Sequence, residues 1–238
     1  MQNEFKNTEI YNNQGDLLGI DENHDAILGC LKTMKPLKRK QAINQLTAAK
    51  VPSKGSRKEF EKHFRELPSH IKQGLKNGDL RMADTVIYSM KMVNSKTIKL
   101  FETQDDKEIG LRNISNAKLP KNQAFLVSGI YLLVGDAAED SKDAMMSTRF
   151  DVIDKSPAIT SGEFSLKANK KIIVPETSNR LFETRNFHGV PAGYYKLHNP
   201  RLIEDDVLVE FTVELGSMTG LPKNPVIYVG LHGTITTP

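Results

Sequence analysis

From Ala83 onward the sequence runs in a period of two. Val86, Tyr88, Met90 and Met92 alternate with polar or small neighbours, and Val207, Val209, Phe211, Val213 and Leu215 do so more cleanly. A period of two is the mark of a strand, because successive side chains leave opposite faces of the backbone. Further strands are predicted at Ile98–Leu100, Ile109–Ile114, Arg149–Ile153, Glu163–Ala168, Lys171–Val174, Tyr194–Leu197 and Val226–Thr236. The long apolar run Ala124–Val134 reads as a central strand, and Asn169-Lys170 as the turn of a hairpin. Long loops are expected at 136–147, 176–193 and 216–225. This is eight to ten strands with no helical pattern able to cross between parallel strands. The expected fold class is mainly β: an antiparallel jelly-roll sandwich over residues 83–238, preceded by a small basic α-helical region.

The first 82 residues follow other rules. Residues 1–22 are polar, with turn signals at Asn12-Asn13 and Gln14-Gly15-Asp16, and read as an extended arm. Residues 23–82 read as helices. Asp21–Asp25 has the spacing of a calcium loop at its start, but Ala26 stands where such a loop needs Gly and Lys32 where it needs Glu. The carboxylates fit a helix N-terminus instead, leading into the stripe Ile27, Leu28, Leu31 and Met34. Pro36 ends that helix, and a second is predicted from Leu37 to Ala49. Ser56 and Glu59 have capping-box spacing. Phe60, Phe64, Leu67 and Ile71 recur at helical intervals, with Pro68 dividing or kinking the helix and Asn77-Gly78 closing it.

Charge separates the same regions. Residues 31–82 hold fourteen Lys and Arg against four Asp and Glu, about +10, in a chain whose total is +4. Residues 1–30 carry −5, so the strand-rich part is nearly neutral. Lys38, Arg39 and Lys40 would occupy the first turn of the second helix, where cations oppose the helix dipole, which points to a use outside the helix. The expected partner is a polyanion. Lys32, Lys35, Lys38, Arg39, Lys40, Lys50, Lys54, Arg57 and Lys58 are the candidate nucleic-acid-binding residues, acting on phosphates rather than base edges. A solvated lysine-rich surface and an acidic protein partner are the competing readings. A helix-turn-helix over 37–78 fits less well, since Pro52 and Gly55 lengthen the connection.

Catalytic patterns are absent. The sequence has no G-x-S-x-G, H-E-x-x-H or P-loop motif. Cys30, the single cysteine, sits in an apolar helical setting that suits a structural residue better than a nucleophile paired with His24. His188, His198 and His232 are too widely spaced for the H-x-H of small jelly-roll metal sites. Asp105-Asp106 and Asp205-Asp206 read as turn residues. The expectation is no enzyme, no cofactor and no metal. No run of 18 apolar residues exists, so no transmembrane segment is expected, and the polar start MQNEFKNTEIYNN does not read as a secretory signal.

Three stretches carry a resemblance: GLRNISNAKLPKNQAFLVSGIYLLV (110–134), GEFSLKANKKIIVPETSNRLF (162–182) and the two alternating strands of 207–237 around a Gly/Pro-rich loop. Their strand order and turn chemistry resemble viral jelly-roll capsid proteins, particularly those of tailless icosahedral bacteriophages. The resemblance covers roughly residues 85–237, with room for one sandwich rather than the two of double-jelly-roll members. It implies a coat protein that self-assembles into an icosahedral shell in the virion, after synthesis in the host cytoplasm. Its implied partners are neighbouring copies, other capsid proteins and the viral genome, of either type. The alternative is a non-catalytic jelly-roll module that recognises a carbohydrate or receptor, with Tyr194 and Tyr195 as its stacking candidates.

Overall fold

The structure, a computed structural model, describes residues 56–185 and 189–238 together with Lys35 and Lys38. The chain divides after Met82 into two compact units, residues 1–82 with Pro238 and residues 83–237.

In the first unit, the helical period of Phe60, Phe64, Leu67 and Ile71 is broken at Pro68. A helix at Ser56–Lys62 is followed by a 3-10 turn at Phe64–Glu66 and a second helix at Ser69–Asn77. Pro68 flanks that second helix at its start, where its missing N–H costs nothing. Gly78 ends it in the left-handed conformation (φ 82°), and the Asp79 and Leu80 N–H groups turn back to donate to the Gly74 carbonyl. Phe60, Leu67 and Ile71 are buried.

Among the described residues nine strands are formed, the first starting two residues before the second unit: β1 (Arg81–Met92), β2 (Thr97–Lys99), β3 (Phe125–Asp136), β4 (Phe150–Asp151), β5 (Glu163–Ala168), β6 (Lys171–Ser178), β7 (Tyr194–Ile203), β8 (Val209–Glu214) and β9 (Pro225–Thr237). One sheet runs β1-β9-β3-β4, with β7 also paired to β3; the other runs β2-β8-β5-β6. With the two-residue β4 set aside, the chain passes between the sheets so that β1, β9, β3 and β7 face β2, β8, β5 and β6. This mainly β, antiparallel arrangement has the strand order of a jelly roll.

The alternation of β8 explains its place. Val209, Phe211 and Val213 point into the sandwich, while Glu210, Thr212 and Glu214 point away. β5 does the same with Phe164, Leu166 and Ala168. From the other sheet come Phe125, Val127, Ile130, Leu132, Ile227, Val229 and Leu231. Phe164 stacks on Phe211 with centroids 5.7 Å apart and meets Phe182 at 4.8 Å. The β5–β6 hairpin turns on Asn169-Lys170, both with positive φ (48° and 64°), as the two-residue turn requires.

Four sequence expectations are corrected. Residues 109–114 form no strand. Gly110 (φ 93°) reverses the chain between Glu108 and Arg112, and Asn113 spends its carboxamide on β1. Arg149–Ile153 shrinks to β4, because Ile153–Lys155 tightens into a 3-10 turn. The 136–147 and 176–193 loops are partly ordered elements: a helix at Lys142–Met146, the end of β6, and a 3-10 turn at Asn179–Phe182. Tyr194–Leu197 extends to Ile203.

Candidate interaction surface on the first sheet

The outward face of the first sheet is where sequence and chemistry part from the ordinary sandwich. In β9, Ile227, Val229 and Leu231 are buried in the core, so Tyr228, Gly230 and His232 face outward. In β3, Ile130 and Leu132 point in, so Tyr131 and Leu133 point out. The register then gathers residues distant in sequence. Tyr131 lies between Tyr194 of β7 and Gly230 of β9; Leu133 is opposite Tyr228; Gly135 is opposite Phe150. The β1 alternation of Val86, Tyr88 and Met92 belongs mainly to this outer side, since Ile87 and the buried Ser89 lie between them.

The aromatic rings form a connected layer. Centroids are 4.8 Å apart for Tyr131 and Tyr194, 5.9 Å for Tyr88 and Tyr228, and 5.6 Å for Phe150 and Tyr228. Tyr194 can lie over Gly129 only because Gly129 has no side chain; an added Cβ would overlap the phenol. Val86, Tyr131, Leu133, Phe150 and Tyr228 line a shallow open groove of about 360 Å³. Beside it, the Tyr194 hydroxyl is 3.3 Å from His232 Nδ1, and the Ser128 hydroxyl donates to the His232 carbonyl at 3.2 Å. Burial first, and then the neighbouring Tyr131, raise the Tyr194 pKa above its ordinary value; burial, Tyr88 and Tyr131 do the same for Tyr228. Both phenols are neutral near pH 7. They can donate hydrogen bonds and stack, which is binding chemistry.

Beyond the groove, Met90, Leu111, Ala137, Ala144 and Val226 make a satellite cluster, with Met92, Met145, Phe150 and Tyr228 packed against it. Exposed Ile109 (87%) and Met146 (42%) extend the apolar surface past it.

The residues singled out in the sequence fall elsewhere. Lys35 and Lys38 are exposed. Arg57 and Lys58 lie on the Ser56–Lys62 helix. Lys32, Arg39, Lys40, Lys50 and Lys54 lie outside the described residues, as do His24, Cys30, His188, the 1–22 arm and most of the Leu37–Ala49 helix. Tyr195 is not a surface stacking residue: it alternates inward and packs against Phe164 and Phe182. His198 is exposed on β7, while His232 is half-buried under the aromatic layer. Among the described residues, no group of three His, Cys, Asp or Glu side chains is placed to hold a metal ion. Asp105 is paired with Lys91 at 2.8 Å and Asp206 with Lys118 at 2.9 Å, while Asp205 accepts from the Asn122 N–H at 2.8 Å, contacts that suit turn residues. No helix among the described residues is long and apolar enough to cross a membrane.

No known protein family matches the chain, and no curated protein matches it in sequence.

Proposed function

We propose that this chain is a viral structural coat protein, of the bacteriophage jelly-roll kind, that self-assembles into an icosahedral shell and contacts the packaged genome through its basic N-terminal region. The observation that carries the reading is the pairing of a nearly neutral jelly-roll unit with about +10 of charge concentrated in residues 31–82. A shell needs a unit that tiles and a surface that neutralises phosphate, and the chain keeps these in separate stretches. Lys32 to Lys58 supply the cations, and nothing in this role calls for a catalytic residue.

Light scattering during size exclusion, at low and high salt and with the ultraviolet absorbance ratio read together, tests the reading. Defined particles or oligomers that carry nucleic acid at low salt and shed it at high salt are expected. The triple change Lys38→Ala, Arg39→Ala, Lys40→Ala should lower the bound nucleic acid and flatten the logarithmic salt slope, by about 0.9 for each duplex phosphate no longer neutralised. Unchanged nucleic-acid content would remove those three residues from the role. A nucleic-acid-free monomer at both salts would remove the coat reading.

A second reading, a jelly-roll module that binds a carbohydrate or receptor, is favoured by one observation: Tyr194 presents a ring on the outer face with its hydroxyl beside His232. Sugar rings stack on such faces. A glycan-array signal abolished by Tyr194→Ala is the result that reading requires.

A further inference from the structure

We infer that the aromatic outer face of the first sheet is the contact surface for a second copy of this chain, with the basic edge of each copy set against the acidic end of the other. The inference names the partner surface within the coat-protein reading and rests on it.

The strand edges leave little room for association by strand addition. Along β1, the Asn113 carboxamide takes up the edge, accepting from the Tyr88 N–H at 2.8 Å and donating to the Val86 carbonyl at 2.7 Å. β2 is three residues long. β6 is irregular against β5 at two points and contains Pro175, which has no N–H to offer. β7 bulges between Lys196 and Arg201, where five steps of its backbone answer two of β3. These are the devices that keep sheets from pairing edge to edge. A unit protected in this way associates through its faces.

Of its two faces, only one has the composition of an interface core. The outer face of the second sheet pairs Ser165 with Thr212, Lys167 with Glu210 and Thr97 with Glu214, a mostly polar, solvated surface on which Ile172 of β6 is an isolated exposed apolar residue. The outer face of the first sheet gathers Tyr, Phe and Met and carries no charge at its centre. Aromatic and methionine enrichment with charge depletion distinguishes interface cores, and contiguous apolar patches mark contact sites.

Charge fixes the occupant. At the β7 side of the face, Lys196 and His198 are exposed on the same side of the strand as Tyr194, with Lys196 opposite Gly129 of β3. Beyond the end of β3, which closes on Asp136, stand Glu139, Asp140 and Asp143, and Lys142 there is already paired with Glu108 at 2.8 Å. From Gly129 to Asp136 is about 23 Å of strand at ~3.3 Å per residue. The face is therefore a dipole: a basic side, an uncharged aromatic middle and an acidic end. Two such faces laid together in opposite directions about a two-fold axis bring Lys196 and His198 of each copy toward the carboxylates of the other, while the aromatic layers meet between them. Such a patch is complementary to itself, which is what an isologous contact demands.

The test uses the full chain, nuclease-treated, with mass followed by light scattering across concentration. One variant carries Lys196→Glu and His198→Glu; the other carries Asp140→Lys and Asp143→Lys. Each alone should weaken self-association about tenfold or more, because both rims of its own pair then repel. Mixed in equal amounts, the two should associate again, since each reversed rim then meets the one that complements it. Restoration on mixing cannot come from misfolded chains, and circular dichroism of each variant checks this. Tyr131→Ala, at the centre, should weaken association without changing the mixing result. Variants that assemble as the wild type does, or a mixture that fails to associate while both members are folded, would overturn the inference and leave the coat reading standing. A wild-type dimer that responds to the variants in this way, builds no particle and carried no nucleic acid before nuclease treatment would support the inference and sink the coat reading. A wild-type chain that stays monomeric, with or without a glycan bound at Tyr194, would overturn both.

Discussion

The two sheets of the sandwich share one core and differ in what they turn outward. β5 and β8 alternate strictly, so the second sheet shows solvent Glu163, Ser165, Lys167, Glu210 and Thr212. β3 and β9 bury one side fully and place Tyr131, Leu133, Tyr228 and glycines on the other. A sheet that is apolar on both sides is one that expects to be covered. The inner faces make the fold, and the outer face of the first sheet keeps an apolar, aromatic surface.

Glycine substitution should break the comparison most sharply. A Cβ on Gly233 would overlap the Leu126 carbonyl across the β3–β9 pair, and a backbone atom cannot rotate away. Gly233→Ala should cost about 3 kcal/mol in denaturant unfolding. Gly216, just past β8, has open space around it and an ordinary φ, so Gly216→Ala should be neutral or slightly stabilising. Equal effects at the two positions would mean that the close β3–β9 approach does not exist in solution. Next in size is Tyr228→Ala. It removes a half-buried ring in contact with Tyr88 and Phe150, at about 2 kcal/mol; a loss below ~0.5 kcal/mol would show that the ring layer is not packed.

The contrast also decides what was legible in the sequence. Val207–Leu215 could be read because one side of β8 faces solvent, so polarity reported direction. Ala124–Val134 could be read as a strand, but its unbroken apolar run could not say that Tyr131 and Ile130 serve different faces. In β1 the visible alternation of Val86, Tyr88 and Met92 marks the outer side rather than the inner. Tyr88, Tyr131, Phe150, Tyr194 and Tyr228 meet only through the crossed strand order, which no local pattern encodes. The one available signal was glycine inside strands: at Gly129 the Tyr194 phenol lies over bare backbone, and at Gly230 Val86 and Tyr228 crowd in. The expected jelly-roll fold class was silent about this face. The basic residues are the converse case: plain in the sequence, with only Lys35, Lys38 and the backbone of Arg57 and Lys58 among the described residues.

Alkaline titration sharpens the comparison by reading the phenols directly. Tyr194 and Tyr228 both have phenol pKa values raised in the folded chain, chiefly by burial. Their contribution to stability is fully present below the unfolded phenol pKa of about 10, and it is lost as pH rises from there through the folded values. Phenolate absorbance should therefore show late-ionising tyrosines among the six, and Tyr228→Phe should remove one of them. Six phenols titrating together at the unperturbed pH would argue that the outer aromatic layer is loose in solution.

The smallest expected effect belongs to the second sheet, and it is the control that gives the others meaning. Thr212 lies between Lys99 of β2 and Ser165 of β5 on the outward side, where its hydroxyl is exchanged between protein and water at little net gain. Thr212→Ala should shift stability by no more than about 0.5 kcal/mol. Because that face is solvated and carries both signs of charge, the same variant should also leave the mass of any assembly unchanged. If Thr212→Ala altered assembly while Tyr131→Ala did not, the roles of the two faces would be exchanged. The polar surface would then be the contact, and the aromatic layer would have to be explained as packing within a single chain.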